Sequence, residues 1–277
     1  MKLWYQSMSR QGAWPSYNAA LRQTLERVKD SGTEIEVHGI TKIGGIGDQF
    51  RYLEFLATAE LLENVHRAVR EGFDAFLIGN IADPGLTEAR EIANIPVLGL
   101  CESALHMASM MGATFSLVTI NAKFTPRIVE NVNRYGLRDR LAAVNKMTID
   151  RLVDLDRGFD DEQARTAVLE QFQTAARLNI AAGAEVVIAA GGPVMVQLAM
   201  AGLHCMPDGV PILNGVTNLI KLGETAAKLN RIMGGHFTSK HGRYEPPPPG
   251  QITELRRYYG EHIYPTVIDP DAKPVTG

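Results

Sequence analysis

The 277-residue sequence has little of what marks several large classes of protein. Its two cysteines, Cys101 and Cys205, are too few for a disulfide framework or a structural zinc site. No apolar run approaches the roughly 18 residues of a membrane-spanning helix, and residues 1–5 lack the apolar core and cleavage site of a signal peptide. The formal net charge is only -3, so a general attraction to nucleic acid or to anionic membranes is not expected. We therefore expect a cytoplasmic protein whose partner is neither nucleic acid nor membrane.

Short apolar runs alternate with amphipathic stretches, which is typical of repeated βα units around a parallel sheet. The predicted strands are Leu3–Gln6, Glu34–Ile40, Ala75–Gly79, Val97–Leu100, Phe115–Thr119, Leu141–Lys146, Glu185–Ala190 and Pro211–Leu213. The predicted helices are Tyr17–Asp30, Tyr52–Glu71, Thr87–Ala93, Ser103–Met111, Thr125–Tyr135, Asp160–Ala182, Pro193–Ala201 and Val216–Met233, with a short one at Ile252–Glu261. The fold class is therefore α/β.

The strands fall into two similar sets of four. Ala75–Gly79 and Val97–Leu100 correspond to Glu185–Ala190 and Pro211–Leu213, because each pair is a buried strand, a turn and helix, and a second strand introduced by proline. This repeat predicts two pseudo-symmetric lobes, each with a mostly parallel four-stranded sheet. Ligands of open α/β sheets bind beyond the carboxyl ends of the strands, so the active-site cleft is expected between the lobes. The predicted divisions are an N-terminal lobe of residues 1–112, a C-terminal lobe of residues 113–233 and a proline-rich arm of residues 234–277.

Several segments together resemble one family. The most informative are Asp83-Pro84-Gly85-Leu86 and the stretch 95–106, which reads I-P-V-x-G-x-x-E-x-x-x-H. Further matching stretches are 115–119 (FSLVT), 134–137 (RYGL), 183–188 (GAEVVI) and 209–216 (GVPILNGV). In this order they are similar to the Asp/Glu/hydantoin racemase superfamily, and most to its hydantoin-racemase-like branch. The resemblance implies a two-lobed fold and a cofactor-independent acid/base site.

In that family one cysteine follows the third strand of each lobe. One thiolate removes the proton from the α-carbon, and the opposite thiol delivers a proton to the other face. This chain departs from the pattern at both positions, which are Asn80 and Gly191. An amide cannot serve as a base near neutral pH, and glycine offers only its backbone N–H. We expect Asn80 and Gly191 to face each other across one pocket, with Asn80 acting on an enolate-like intermediate as a hydrogen-bond donor.

Two further residues are candidates for the catalytic group. Cys101 follows the fourth strand, where the N–H groups of the next helix would favour its thiolate; the alternative is a small buried apolar residue. Glu102 matches the family's E-x-x-x-H together with His106, which suggests that it orients a catalytic group; the alternative is a carboxylate stabilised by the helix dipole. Asp83 is interpreted as a turn residue whose carboxylate caps the following segment.

A ring of neutral polar groups near the strand ends is expected to bind the substrate. The resemblance places donors in the loop after the first strand, which here contains Gln6, Ser7 and Ser9, and a tyrosine near residues 46–52, which is Tyr52. The other predicted substrate-binding residues are Thr119, Gly191, Gly192 and Asn214. No spacing of histidine and acidic residues predicts a metal site, and no glycine-rich motif predicts a nucleotide cofactor.

The resulting hypothesis is a cofactor-independent isomerase or racemase that acts on a small carboxylate or a cyclic amide such as a hydantoin. A decarboxylase on the same scaffold is the nearest alternative, and a ligand-binding descendant without activity is the other. We expect a homo-oligomer whose partner is a small-molecule substrate.

Overall fold

Two four-stranded parallel sheets, built from successive parts of the chain, frame the protein in the computed structural model, which describes residues 1–45 and 50–265. The first sheet has the order β2-β1-β3-β4 and the second the order β6-β5-β7-β8. The strands are β1 (Lys2–Arg10), β2 (Glu34–Ile40), β3 (Ala75–Ile78), β4 (Val97–Gly99), β5 (Phe115–Thr119), β6 (Leu141–Lys146), β7 (Val186–Ala190) and β8 (Ile212–Leu213). The identical orders confirm the predicted α/β class and the repeat.

Helices follow the strands in the manner of βα units. They are α1 (Pro15–Val28), α2 (Arg51–Arg70), α3 (Leu86–Ile92), α4 (Leu100–Met111), α5 (Thr125–Arg134), α6 (Glu162–Ala181), α7 (Gly192–Met200), α8 (Gly215–Ile232) and α9 (Pro249–Tyr259). Their order and positions agree with the sequence, and most of their ends differ by one to three residues. The largest differences are at the N-termini of α4 and α9, each of which begins three residues before the predicted position.

A 3-10 segment at Leu152–Phe159 was not predicted. Its conformation depends on contacts with distant helices. The Asp156 carboxylate accepts the N–H of Tyr17 in α1, and Gln197 in α7 donates to the Leu155 carbonyl. No local pattern in the sequence contains these partners.

The apolar interior continues from one sheet to the other. Every residue of the central strands β3 and β7 is buried, as expected for parallel strands covered on both faces. Helix α8, which follows the last strand of the second sheet, packs on β3 of the first. Its Gly223 permits this approach, since a Cβ there would lie 2.8 Å from Leu77 Cδ2. No helix in residues 1–45 and 50–265 has the length and apolar character of a bilayer span.

Candidate active site

A cavity of about 60 Å³ lies where the carboxyl ends of the two sheets meet. Segments from both halves of the chain form its wall: residues 7–9 of β1, residues 79–81 after β3, Ile120 after β5, and residues 191–193 after β7. Trp14, Tyr17, Gly45, Phe124 and Leu152 complete the lining. Asn80 and Gly191 line the same cavity, which confirms the predicted pairing of these two positions.

Two hydrogen bonds within residues 80–83 fix the position of Asn80 on one wall of the cavity. Asn80 follows β3, and its side-chain Oδ1 accepts the N–H of Ala82 at 2.8 Å. The N–H of Asp83 donates to the Asn80 carbonyl at 3.0 Å. These two bonds form a tight turn over residues 80–83 and use the Oδ1 atom of the amide. The Nδ2 group is therefore the part of Asn80 suited to donate to a ligand.

The opposite wall is the N-terminus of α7. Gly191 is the residue before this helix and Gly192 is its first residue. The first N–H groups of a helix have no acceptor within it, and the helix dipole makes this end favourable for negative charge. A Cβ at Gly191 would lie 2.7 Å from Ile120 Cδ1, so a larger residue would require Ile120 to move. The glycine thus brings backbone N–H groups close to the cavity.

The rest of the wall is neutral and largely apolar. Ser7 and Ser9 share a hydrogen bond of 2.8 Å between their hydroxyl groups. The rings of Trp14 and Tyr17 meet edge to face at 6.1 Å. The buried Trp14 Nε1 has no hydrogen-bond partner in the described part of the chain. Among the described lining residues there is no Asp, Glu, His, Cys, Lys or Arg, so the cavity offers neutral donors and no carboxylate, imidazole, thiol or amine base.

The structure does not bring Cys101 to this cavity. Cys101 is fully buried in the first turn of α4. Burial, followed by the nearby Asp83 carboxylate, raises the pKa of the Cys101 thiol well above its usual range. The expectation of a thiolate favoured by the helix N-terminus is therefore wrong, because desolvation opposes the charged form. Cys101 corresponds to the alternative interpretation, a small buried residue.

Four predicted substrate-binding residues do not line the described cavity; three of them have structural partners, and the fourth, Tyr52, is exposed. Gln6 is fully buried, and its Oε1 accepts from Trp4 at 3.1 Å and from Asn64 at 3.0 Å. Thr119 is bonded to Thr125 at 2.5 Å. Asn214 caps α8 by accepting the N–H groups of Val216 and Thr217. Tyr52 is 71% exposed on α2, and residues 46–49 of its predicted loop lie outside the described residues.

Glu102 also lies outside the cavity. Its carboxylate is paired with Arg90, and both lie beside a separate cavity. In addition, no group of three or more His, Cys, Asp and Glu residues suited to a metal ion occurs among residues 1–45 and 50–265.

Asp83 has a larger role than that of a turn residue. It is fully buried with a left-handed backbone (φ 49°). Its carboxylate accepts the N–H groups of Cys101 at 2.9 Å and Glu102 at 2.8 Å, so it caps α4 and explains why that helix begins at Leu100. Tyr135 donates to it at 2.7 Å. Burial raises the pKa of Asp83 to about 7, although these three hydrogen bonds favour the ionised form.

One face of α5 and the residue that follows it hold the 80–83 turn. Arg127, Asn131 and Tyr135 are spaced four residues apart, which places them on one side of a helix. Arg127 and Asn131 donate to the Ala82 carbonyl at 2.6 and 2.9 Å, and Tyr135 reaches Asp83. These residues follow β5, which belongs to the second sheet, whereas the turn follows β3, which belongs to the first. Sequence reasoning identified the stretch 134–137 but gave none of these three residues a role.

The burial of Cys101 predicts a difference in alkylation between the two cysteines. Iodoacetamide should modify the exposed Cys205 and leave Cys101 unmodified in the native protein, because a buried neutral thiol is neither accessible nor nucleophilic. Mass spectrometry of peptides after alkylation, with and without urea, measures both sites. Equal modification of the two cysteines without urea would contradict this placement.

Comparison with known proteins identifies the family. A family model described as Asp/Glu/Hydantoin racemase matches residues 16–223. A hydantoin racemase of Pseudomonas sp. (strain NS671) is 29% identical over 257 residues, covering 90% of this chain and 95% of the relative. A hydantoin racemase of Paenarthrobacter aurescens is 32% identical over 205 residues, covering 72% and 78%.

Solved structures show the same fold. An allantoin racemase from Klebsiella pneumoniae superimposes with a TM-score of 0.71 at 24% identity, covering 89% of this chain and 94% of that one. A glutamate racemase from Thermus thermophilus gives 0.55 at 15% identity, covering 94% and 93%. Together with the matched residues 16–223, these findings show that the chain belongs to the Asp/Glu/hydantoin racemase family.

Proposed function

We propose that this protein is a cofactor-independent isomerase that binds a small cyclic amide of the hydantoin type in the cavity and stabilises its enolate with neutral hydrogen-bond donors. The observation that carries the proposal is the composition of the wall. Asn80 supplies an amide on one side, Gly191 and Gly192 supply the start of a helix on the other, and no carboxylate, imidazole, thiol or amine lies among the described lining residues. Such a site favours an oxygen that gains negative charge.

The choice of substrate follows from the absence of a carboxylate, imidazole, thiol or amine base among the described lining residues. The α-proton of an amino acid is weakly acidic and needs a strong, well-placed base. The ring C–H of a hydantoin lies between a carbonyl group and an amide nitrogen, so its loss gives an enolate whose charge is delocalised. With that oxygen bound by fixed donors, a water molecule can accept the proton.

The reaction then balances with water as the only co-reactant. The C–H bond breaks, its electron pair moves to the carbonyl oxygen as an enolate, and the proton passes to water. Return of a proton from water to the opposite face gives the other enantiomer. Asn80 and the first N–H groups of α7 act on the enolate oxygen and transfer no proton themselves.

Two comparisons support the substrate class. Two relatives that cover 90% and 72% of this chain are named hydantoin racemases, and an allantoin racemase shares the fold. An arylmalonate decarboxylase variant also shares the fold, with a TM-score of 0.52 at 13% identity. That likeness shows the fold alone.

A second function, binding without turnover, is favoured by one observation. A cavity wall without a strong base can bind a cyclic amide through the same donors and leave its C–H bond intact. The two functions share a ligand class. They differ in that only the isomerase exchanges the ring C–H proton of its ligand.

Proton exchange in D2O tests the proposal. A 5-substituted hydantoin of one enantiomer is incubated with the protein, and its ring C–H is followed by NMR together with the optical rotation. We expect exchange and loss of rotation above the buffer rate, whereas L-glutamate and L-aspartate should not exchange. A hydantoin that binds in a calorimetric titration without exchange would indicate the binding function. Rapid exchange of glutamate or aspartate would contradict the proposed absence of a strong base, and CO2 release from an arylmalonate would indicate the decarboxylase.

A further inference from the structure

A second cavity, of about 180 Å³, lies between α3, α4, the end of α5 and residues 243–244; we call it the arm cavity. Its described lining shares no residue with the candidate active site. It consists of Leu86, Thr87, Arg90, Glu102, His106, Arg134, Tyr135, Arg243 and Tyr244. The wall is therefore mainly polar, in contrast to the apolar wall of the first cavity.

The charges around the arm cavity do not balance. Three arginines and one glutamate line it, which leaves two positive charges when His106 is neutral. Glu102 is paired with Arg90, while Arg134 and Arg243 have no ion pair within residues 1–45 and 50–265. Asp83, which Tyr135 contacts from behind the wall, is buried, and even its ionised form leaves a net positive charge.

The side chains that line the arm cavity offer donors suited to an anion. Arg90 is held by Glu102 and by the Tyr244 ring, whose centre lies 5.8 Å from the guanidinium carbon. Hydroxyl groups of Thr87 and Tyr244 add neutral donors. Arginine presents a planar fork that matches the two oxygens of a carboxylate or a phosphate. A cavity of this size accommodates a small organic anion in place of several water molecules.

The C-terminal arm is fastened at this place. Lys240 Nζ donates to the Glu91 carbonyl at 3.0 Å, and Tyr264 donates to the Glu91 carboxylate at 2.8 Å. These contacts fix the arm on α3 and position Arg243 and Tyr244. The arm lies outside residues 16–223, the part that the family model matches, and it contributes Arg243 and Tyr244 to the wall.

We propose that the arm cavity is a binding site for a small molecule carrying a carboxylate or phosphate dianion, held by Arg134 and Arg243. The site is separate from the candidate active site and does not depend on the proposed function. The site recognises two anionic oxygens of the ligand and the negative charge that they carry.

Isothermal titration with inorganic phosphate and, separately, with succinate tests this site and distinguishes the two sources of the anion. Ionic strength is held constant with NaCl, since screening changes any charge interaction. Wild type, Arg134→Ala, Arg243→Ala and the matched control Arg27→Ala are compared. Arg27 lies on α1, is exposed, and has no ion pair among the described residues.

We expect saturable binding of at least one anion with a stoichiometry of one. Arg134→Ala and Arg243→Ala should each weaken it by about tenfold or more, the usual effect of a hydrogen bond to a charged group. Arg27→Ala should leave it unchanged, and all variants should melt like the wild type because the replaced side chains are exposed. Absence of saturable binding of both anions, or equal weakening by Arg27→Ala, would overturn the proposal.

Discussion

Replacing Asn80 with alanine is expected to reduce the enzyme-catalysed exchange of the hydantoin ring proton by about 10²–10³-fold, the usual effect of losing one donor to a developing oxyanion. Asn80 lies on the cavity wall, and its Oδ1 accepts the N–H of Ala82 in the 80–83 turn, so the donor of its side chain is the Nδ2 group. The measurement is the NMR exchange rate in D2O, corrected for the rate in buffer.

Asn80→Asp is the sharper companion variant. A carboxylate at this position still accepts the N–H of Ala82, so the turn is preserved, but it has no donor and repels a negative oxygen. We expect its exchange rate to fall at least as far as that of Asn80→Ala. Met8→Leu, which changes a lining side chain but removes no hydrogen-bond donor, is the control for a general change in the wall. Full activity in Asn80→Ala, or a rate above wild type in Asn80→Asp, would contradict the donor role.

Arg127→Ala is expected to destabilise the fold by about 3–5 kcal/mol, the usual cost of leaving a buried charge without its partner. Arg127 on α5 lies 3.0 Å from Glu54 on α2, and their side chains are only 7% and 12% exposed. Arg127 also donates to the Ala82 carbonyl and to Asn131 at 2.7 Å. The variant therefore leaves a buried carboxylate and a buried carbonyl without this donor. Urea unfolding measures the change.

The same two helices provide a matched control. Arg51 on α2 is paired with Glu130 on α5, and these side chains are 58% and 51% exposed. Arg51→Ala removes the same kind of charge between the same elements, but in water, where such a pair contributes about 0–1 kcal/mol. Similar losses of unfolding free energy in Arg51→Ala and Arg127→Ala would show that burial of the Arg127–Glu54 pair is not what stabilises the contact between α2 and α5.

The sequence determined the framework and about a third of the described cavity lining. Apolar runs bounded by turn residues place all eight strands, because burial on both faces of a parallel sheet leaves a local signature. The repeat and the resemblance then identified Asn80 and Gly191 as opposite positions. Ser7, Ser9 and Gly192 also line the cavity as predicted. Asn80, Gly191 and Gly192 follow from their position after a strand, which is a local property, whereas Ser7 and Ser9 lie within β1 and not in the predicted loop after it.

Only the tertiary structure decided which polar side chains face the cavity. Thr119 and Asn214 also lie at or next to a strand end, and Gln6 lies within β1, but the side chains of all three bond to structural partners and do not line the cavity. Cys101 is fully buried in the first turn of α4, and its backbone N–H is bonded to Asp83, which lies 18 residues earlier in the sequence. The 80–83 turn depends on α5, which begins more than 40 residues later. Side-chain direction and pKa depend on neighbours brought together by folding, and the order of residues along the chain does not contain those distances.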